Sequence, residues 1–210
     1  MINEKSLKTF RNKLKDYFLI GLTGVCGSGK SSALDFFSKH GFSVCSADKI
    51  THYLLTKEKC YSKILIEFGS RVSYKGVLDK TKLAKLVFRD NAKRRWLENF
   101  IHPLILKEII NQVKKSGKKI SIIEAPLLFE SGLDSVMNVN ICVYSKMDLI
   151  YERLKKRGWD IKEIEKRLKS QYSQDKKMFL SDISIENNGS LKDLEIKIRD
   201  LSQVLSRFQI

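Results

Sequence analysis

Proline is almost missing from this chain: Pro103 and Pro126 are the only two in 210 residues. That excludes proline-rich linkers, and in so proline-poor a sequence His102-Pro103 and Ala125-Pro126 are expected to mark fixed boundaries between elements. Cysteine is scarce as well. The four cysteines, Cys26, Cys45, Cys60 and Cys142, contain no CxxC pair and have no histidine at zinc-ligand spacing. A zinc module and a disulfide framework are both excluded, and a reducing, cytoplasmic setting is expected. No apolar run approaches the ~20 residues of a spanning helix, so no membrane partner is expected. Lys13 and Lys15 precede the apolar stretch Tyr17–Cys26, but glycines break it and no small-x-small cleavage site follows, which argues against a signal peptide. Internal repeats and low-complexity segments are absent too. The last shortage is of acid: 24 Asp+Glu face 40 Lys+Arg, a formal net charge of +16. Such a field draws anions, whether nucleic acid, acidic lipid or phosphorylated small molecules. The lysines are spread along the chain and read mostly as solvated helix face. Without a helix-turn-helix, RNP-type or aromatic-basic strand pattern, no specific nucleic-acid partner is expected.

What is present is ordinary globular composition, 42% apolar and 30% charged, in a length that suits one main domain with small appended lobes. Tyr17–Thr23, Phe42–Cys45, Ile120–Glu124 and Val139–Val143 are short apolar runs of the kind expected for parallel strands covered on both faces, and Ile183–Glu186 is a candidate last strand. Ser31–His40, 149–177 and Leu191–Phe208 have helical spacing. So do Ile50–Leu55, Tyr61–Phe68, Leu83–Phe88, Arg95–Phe100 and Leu104–Val113, a helical block too long for a simple crossover and read as an inserted lobe. Residues 1–16 carry apolar positions too sparsely for more than a short amphipathic lead-in, and partial disorder is expected there.

Residues 21–32 read GLTGVCGSGKSS. Gly24-Val25-Cys26-Gly27-Ser28-Gly29-Lys30-Ser31 satisfies G-x-x-x-x-G-K-S/T between an expected strand and an expected helix, the context that pattern requires. The glycines let the backbone curl so that successive N–H groups point at one anion, where side chains would block phosphates. Lys30 would reach the β- and γ-phosphates, Ser31 would offer its hydroxyl to Mg²⁺, and the helix terminus, with Ser32 in its first turn, adds positive potential. Asp48, just past the second strand, could take a proton from an attacking hydroxyl or help hold the metal, and equally could cap the next helix. Glu124, closing the strand ISIIE, stands where a carboxylate can touch Mg²⁺ through water, or is a surface acid. Arg153 and Arg157 are four apart on one helix face, with Arg167 beyond them; either they close over a triphosphate or they are solvated. His102 could meet a substrate phosphate, although a helix-end histidine bonded to backbone is more common. Cys26 is read as a small loop residue with its side chain turned away.

Taken together, these residues resemble the dephospho-coenzyme A kinases. The likeness runs from about Leu19 to Leu194 and rests on IGLTGVCGSGKSS, FSVCSAD (42–48), GVLDKTKLAKLVF (76–88), IHPLI (101–105), IIEAPLLFESGL (122–133), RLKKR (153–157), RLKSQ (167–171) and SDISIENNG (181–189). It implies transfer of the ATP γ-phosphate, with Mg²⁺, to the ribose 3′-hydroxyl of dephospho-CoA. The implied fold is a P-loop nucleoside-kinase-like three-layer α/β fold: a parallel sheet flanked by helices, with an inserted helical substrate lobe and a helical lid. On this resemblance the core covers 17–49, 118–149 and 178–210, the CoA-binding lobe about 50–117, and the lid about 150–177. Asp48 matches the carboxylate that activates the hydroxyl, Arg153 and Arg157 the lid arginines over the triphosphate, and Asn187 the adenine end of ATP. Ser46-Ala47-Asp48 departs from the usual D-A-D, Lys80 stands where arginine is frequent, and Ile150 replaces a frequent glutamine. A monomer or weak homo-oligomer is expected. The rival readings are another P-loop small-molecule or nucleoside kinase and, motivated by the charge, a nucleic-acid-stimulated ATPase.

Overall fold

The computed structural model describes residues 1–208, the side chain of Phe88 apart. The chain opens with helix α1 (Glu4–Lys13), capped by the Asn3 side chain on the Ser6 amide, and enters β1 (Phe18–Thr23). Helix α2 (Lys30–Lys39), strand β2 (Ser43–Ser46) and helix α3 (Ala47–Leu54) follow. The inserted block consists of α4 (Glu58–Phe68), an antiparallel hairpin of β3 (Ser73–Tyr74) and β4 (Val77–Leu78), α5 (Lys80–Arg89) and α6 (Asn91–Lys115). Then come β5 (Ile120–Glu124), α7 (Leu128–Ser131) and β6 (Val139–Tyr144). Helices α8 (Met147–Lys156), α9 (Ile161–Lys169) and α10 (Gln174–Leu180), strand β7 (Ile183–Glu186) and helix α11 (Leu191–Leu205) complete the chain.

Strands β1, β2, β5, β6 and β7 form one parallel sheet in the order β2-β5-β1-β6-β7. Alternation along the strands sends side chains to two cores. Leu19, Cys45 and Ile123 face α1, α3 and α6; Ile20, Leu22, Ile122, Ile141 and Val143 face α2 and α11. Leu22 lies opposite both Glu124 and Ile141, and Ser46 lies opposite Glu124, so β1, β2 and β5 end at one level. The chain goes from β1 outward to β2 and returns to put β5 between them, while β6 lies on the other side of β1. That reversal is a topological switch point, and ligands collect beyond the strand carboxyl ends there. Two smaller apolar clusters stand outside the sheet cores. One, in the inserted block, is built on Ile64, Phe68, Val72 and Leu83; the other, on Val25, Ile150, Leu154 and Ile164, lies under α8 and α9.

Three features differ from what the sequence suggests. The lead-in is no loose tail: Leu7, Phe10 and Leu14, spaced i, i+3, i+7, are buried in the main core, and the Ile2 amide donates to Ser131 O at 2.9 Å. Pro103 marks no boundary. The two helical segments expected on either side of it are one 25-residue helix, α6. Its first half packs Trp96, Leu97 and Phe100 into the inserted block and its second half packs Leu106, Ile109, Ile110 and Val113 into the main core. Packing on both sides of the proline carries the helix across the hydrogen bond it lacks. The β3–β4 hairpin has no counterpart among the elements that the sequence spacing suggests. Its turn, Lys75-Gly76, has positive φ at both residues, 50° and 78°, the signature of a type I′ connection.

Candidate active site

The β1–α2 turn holds its shape by close packing as well as by freedom of φ. Gly24 has φ 147° and Gly29 has φ 106°, values that side chains rarely adopt. A Cβ on Gly24 would strike Val143 O and lie 2.7 Å from Ser28 Oγ, and one on Gly29 would strike Asn187 Nδ2. At these two positions the absent side chain makes room for the protein itself. Asn187 is buried and donates from Nδ2 to Ser28 O at 2.8 Å. Its own carbonyl accepts from Arg153 Nη2 at 2.8 Å and from Ser145 Oγ at 2.8 Å. Arg153 Nη1 donates to Ser145 Oγ at 3.2 Å and reaches Gly27 O at 3.5 Å. Arg153, Asn187 and Ser145 thus form a clasp behind the loop.

Lys30 begins α2. Its side chain is buried, and Nζ donates to Val25 O at 3.0 Å. Burial lowers its pKa from the usual lysine value, while the negative charges of Glu124 and Asp48 oppose the shift. An ammonium held this way, without a directly bonded carboxylate, is poised for an anion that can replace one backbone carbonyl. Glu124, at the end of β5, is likewise buried, and one of its carboxylate oxygens accepts from Ser46 Oγ at 2.5 Å. Ser46 also caps α3, its hydroxyl accepting from the Lys49 amide at 3.4 Å. Ser46 therefore fills the helix-cap role that was an alternative for Asp48. Asp48 itself sits exposed in the first turn of α3. A serine in this place can donate to Glu124, whereas an ionised aspartate there would repel it.

These groups border one cleft of about 420 Å³, at the size of small-molecule sites. Cys26, Gly27, Gly29, Lys30, Ser31, Ser32, Asp48, Glu124 and Arg157 line it, together with Pro126, Leu127, Trp159, Arg167 and Gln171. Of the residues singled out from sequence, Gly24, Val25, Ser28, Arg153 and Asn187 do not line it. Val25 is packed into the apolar cluster under α8, Ser28 is wholly buried, and Arg153 and Asn187 belong to the clasp. Cys26 does not turn away: its sulfur faces Gln171 Nε2 at 3.9 Å, and burial raises its pKa against the pull of Lys30 and Arg167. Ile150, in place of a polar residue, is buried beneath Gly27. His102 lies inside α6, outside the cleft, with Nδ1 buried and unpartnered. Gln171 closes the RLKSQ segment, whereas Trp159 is flanked by Gly158 and Asp160, which carry no signal for a cleft.

Among the described residues no group of three or more His, Cys, Asp and Glu is arranged to hold a metal ion by itself. The Ser31 hydroxyl and the Asp48 and Glu124 carboxylates are hard oxygen donors bordering one cleft. That donor set suits Mg²⁺, which keeps several waters and takes substrate phosphates to complete its shell.

A glycine-rich loop at the switch point runs into a helix whose first residue is the buried Lys30, with Glu124 closing β5 and Asp48 in the first turn of the helix after β2; under a basic helical cover this is the arrangement of a P-loop kinase. Comparison with known proteins makes the class particular. The dephospho-CoA kinase family model matches residues 18–193. The dephospho-CoA kinase of Bacillus licheniformis is 36% identical over 197 residues, which is 91% of this chain and 98% of the relative. A crystal structure from Thermus thermophilus superposes with a TM-score of 0.82 at 28% identity, covering 91% of this chain and 98% of that one. Dephospho-CoA kinase from Campylobacter jejuni does so with a TM-score of 0.65, also at 28% identity and with the same coverage. The chain belongs to the dephospho-CoA kinase family, and it is an ATP-dependent phosphotransferase.

Proposed function

We propose that this protein transfers the γ-phosphoryl group of ATP to the ribose 3′-hydroxyl of dephospho-CoA, releasing ADP and coenzyme A, with the inserted block 50–117 receiving the acceptor. The observation that carries this reading is that Lys30 and Asp48, in the first turns of the helices that follow β1 and β2, border the same cleft. Asp48, exposed and free of capping duty, takes the proton of the 3′-hydroxyl as its oxygen attacks the γ-phosphorus and the bond to the ADP oxygen breaks. Lys30 exchanges Val25 O for phosphate oxygens, and the loop amides hold the remainder of the triphosphate. Arg157 meets the charge that spreads over the transferred group. Ser31, and Glu124 through water, would hold Mg²⁺, which would neutralise phosphate charge. Ser46 keeps the Glu124 carboxylate in one orientation. Arg153 and Asn187 brace the loop from behind.

We take the protein to act in the cytoplasm, as a monomer or weak homo-oligomer without a specific nucleic-acid partner. Its four free thiols support the reducing setting, and among the described residues no helix is long and apolar enough to cross a membrane. The test is ADP release from Mg-ATP with dephospho-CoA against uridine, shikimate and gluconate. Turnover of dephospho-CoA well above the others is expected. Equal turnover of another acceptor, or ATPase activity stimulated by DNA or RNA and persisting at ~200 mM salt, would overturn the reading.

A further inference from the structure

Arg167, on α9, places its guanidinium carbon 4.7 Å from the centroid of the Trp159 ring, and both side chains border the cleft that holds Lys30 and Asp48. Trp159 occupies the turn between α8 and α9, where its amide donates to Leu154 O at 3.2 Å. Its ring packs on the cluster of Val25, Ile150, Leu154 and Ile164. Val25 belongs to the phosphate loop. The ring is therefore seated on the loop's own apolar support, and it carries a cation toward the space above the loop. The ion-pair partner of Arg167, Glu163, is 3.9 Å away with both side chains about half exposed (58% and 47%), too weak an attachment to fix a long side chain. A planar guanidinium lying on an indole face has fewer rotamers to lose when an anion arrives.

We propose that Trp159 is a positioning residue that holds Arg167 over the phosphate end of the cleft, so that the cover's charge-neutralising pair is Arg157 and Arg167, with Arg153 given to the loop. This rests on the kinase reading above. The triphosphate draws Arg167 inward, away from Glu163, and the ring sets the arc along which it moves. The aromatic face is the essential feature, and the apolar bulk alone is not sufficient.

The experiment compares Trp159→Leu, Trp159→Phe, Arg167→Ala and the double variant Trp159→Leu/Arg167→Ala, measuring kcat, both KM values, Mg-ATP affinity by calorimetry and urea stability. Trp159→Leu keeps apolar bulk and is expected to lower kcat and weaken Mg-ATP binding about tenfold, with KM for dephospho-CoA unchanged. Trp159→Phe, which retains an aromatic face, keeps the rate within about threefold. In the Arg167→Ala background, Trp159→Leu has no further effect beyond about twofold, because the residue it positions is gone. Independent, multiplicative losses in the double variant, or a Phe variant as impaired as Leu, overturn the proposal. The calorimetric arm is independent of the acceptor: if the wild-type protein bound Mg-ATP but ignored dephospho-CoA, the proposed function would fail while the Trp159–Arg167 coupling remained measurable.

Discussion

Replacing Lys177 with methionine should damage this fold although Lys177 is not among the residues that line the cleft. The side chain is fully buried, and its ammonium donates to Pro126 O at 2.5 Å and to the Glu130 carboxylate at 2.8 Å. Burial lowers its pKa and the Glu130 charge opposes that shift, as expected for an ammonium enclosed with one carboxylate. Pro126 and Leu127 wall the cleft, so this cation ties α10 to that wall. With methionine at 177, Glu130 keeps only the Tyr172 amide at 2.7 Å, and Pro126 O keeps only Thr23 Oγ1 at 3.3 Å. Stranding one member of a buried pair costs about 3–5 kcal/mol. At about 2–4 °C per kcal/mol for a chain of this size, Tm should fall by roughly 6–20 °C. Adding Glu130→Gln removes the stranded charge yet leaves an amide oxygen for the Tyr172 N–H. That double variant should return to within about 1–2 kcal/mol of wild type. Urea melts followed by circular dichroism read both numbers. A Lys177→Met protein within about 1 kcal/mol of wild type, or a double variant no better than the single, would refute the assignment of this pair as the anchor of the cleft wall.

Two further changes probe other parts of the structure. Gly29→Ala puts a side chain at φ 106° and into Asn187 Nδ2; it should cost about 1–3 kcal/mol of stability and weaken ATP binding, and an alanine variant with wild-type affinity would show that the loop does not lean on Asn187. His102 is held below its ordinary pKa of 6.5 mainly by burial, with the Met1 ammonium adding to the shift and Glu98 opposing it. The unfolded chain therefore binds the proton first: stability is full above about pH 6.5 and is lost as pH falls through 6.5 toward the depressed folded value. His102→Leu should flatten the slope of unfolding free energy between about pH 7 and 5, and an unchanged slope would remove His102 as its source.

The sheet was largely legible because each strand is a short apolar run bounded by turn residues, and Ile120–Glu124 and Ile183–Glu186 have the bounds that spacing alone suggests. The phosphate loop was legible for a different reason: glycine at 24 and 29 with lysine at 30 serves both the backbone geometry and the chemistry. What escaped depends on distant partners. Nothing near Pro103 says that α6 will be held on both sides by separate clusters, and Leu7, Phe10 and Leu14 look sparse until α6 is there to receive them. A two-residue strand such as Ser73–Tyr74 is too short to show a period of two. The arginines illustrate the same limit. Arg153 and Arg157, expected on one helix face, part company because α8 ends at Lys156 and Arg157 is its C-cap: one faces backbone carbonyls behind the loop and the other faces the cleft. Ser46 shows it again, since its hydrogen bond to Glu124 joins residues 78 apart in sequence.

The convergence of phosphate cradle and proton acceptor at one switch point is tested most directly by measuring phosphoryl transfer and ATP affinity together in Asp48→Asn. The amide keeps the shape of the side chain and cannot take the proton. Turnover with dephospho-CoA should fall by about 10²–10⁴ while the Kd for Mg-ATP stays within about threefold of wild type. A kcat within about threefold of wild type would contradict the placement of Asp48 on the incoming hydroxyl.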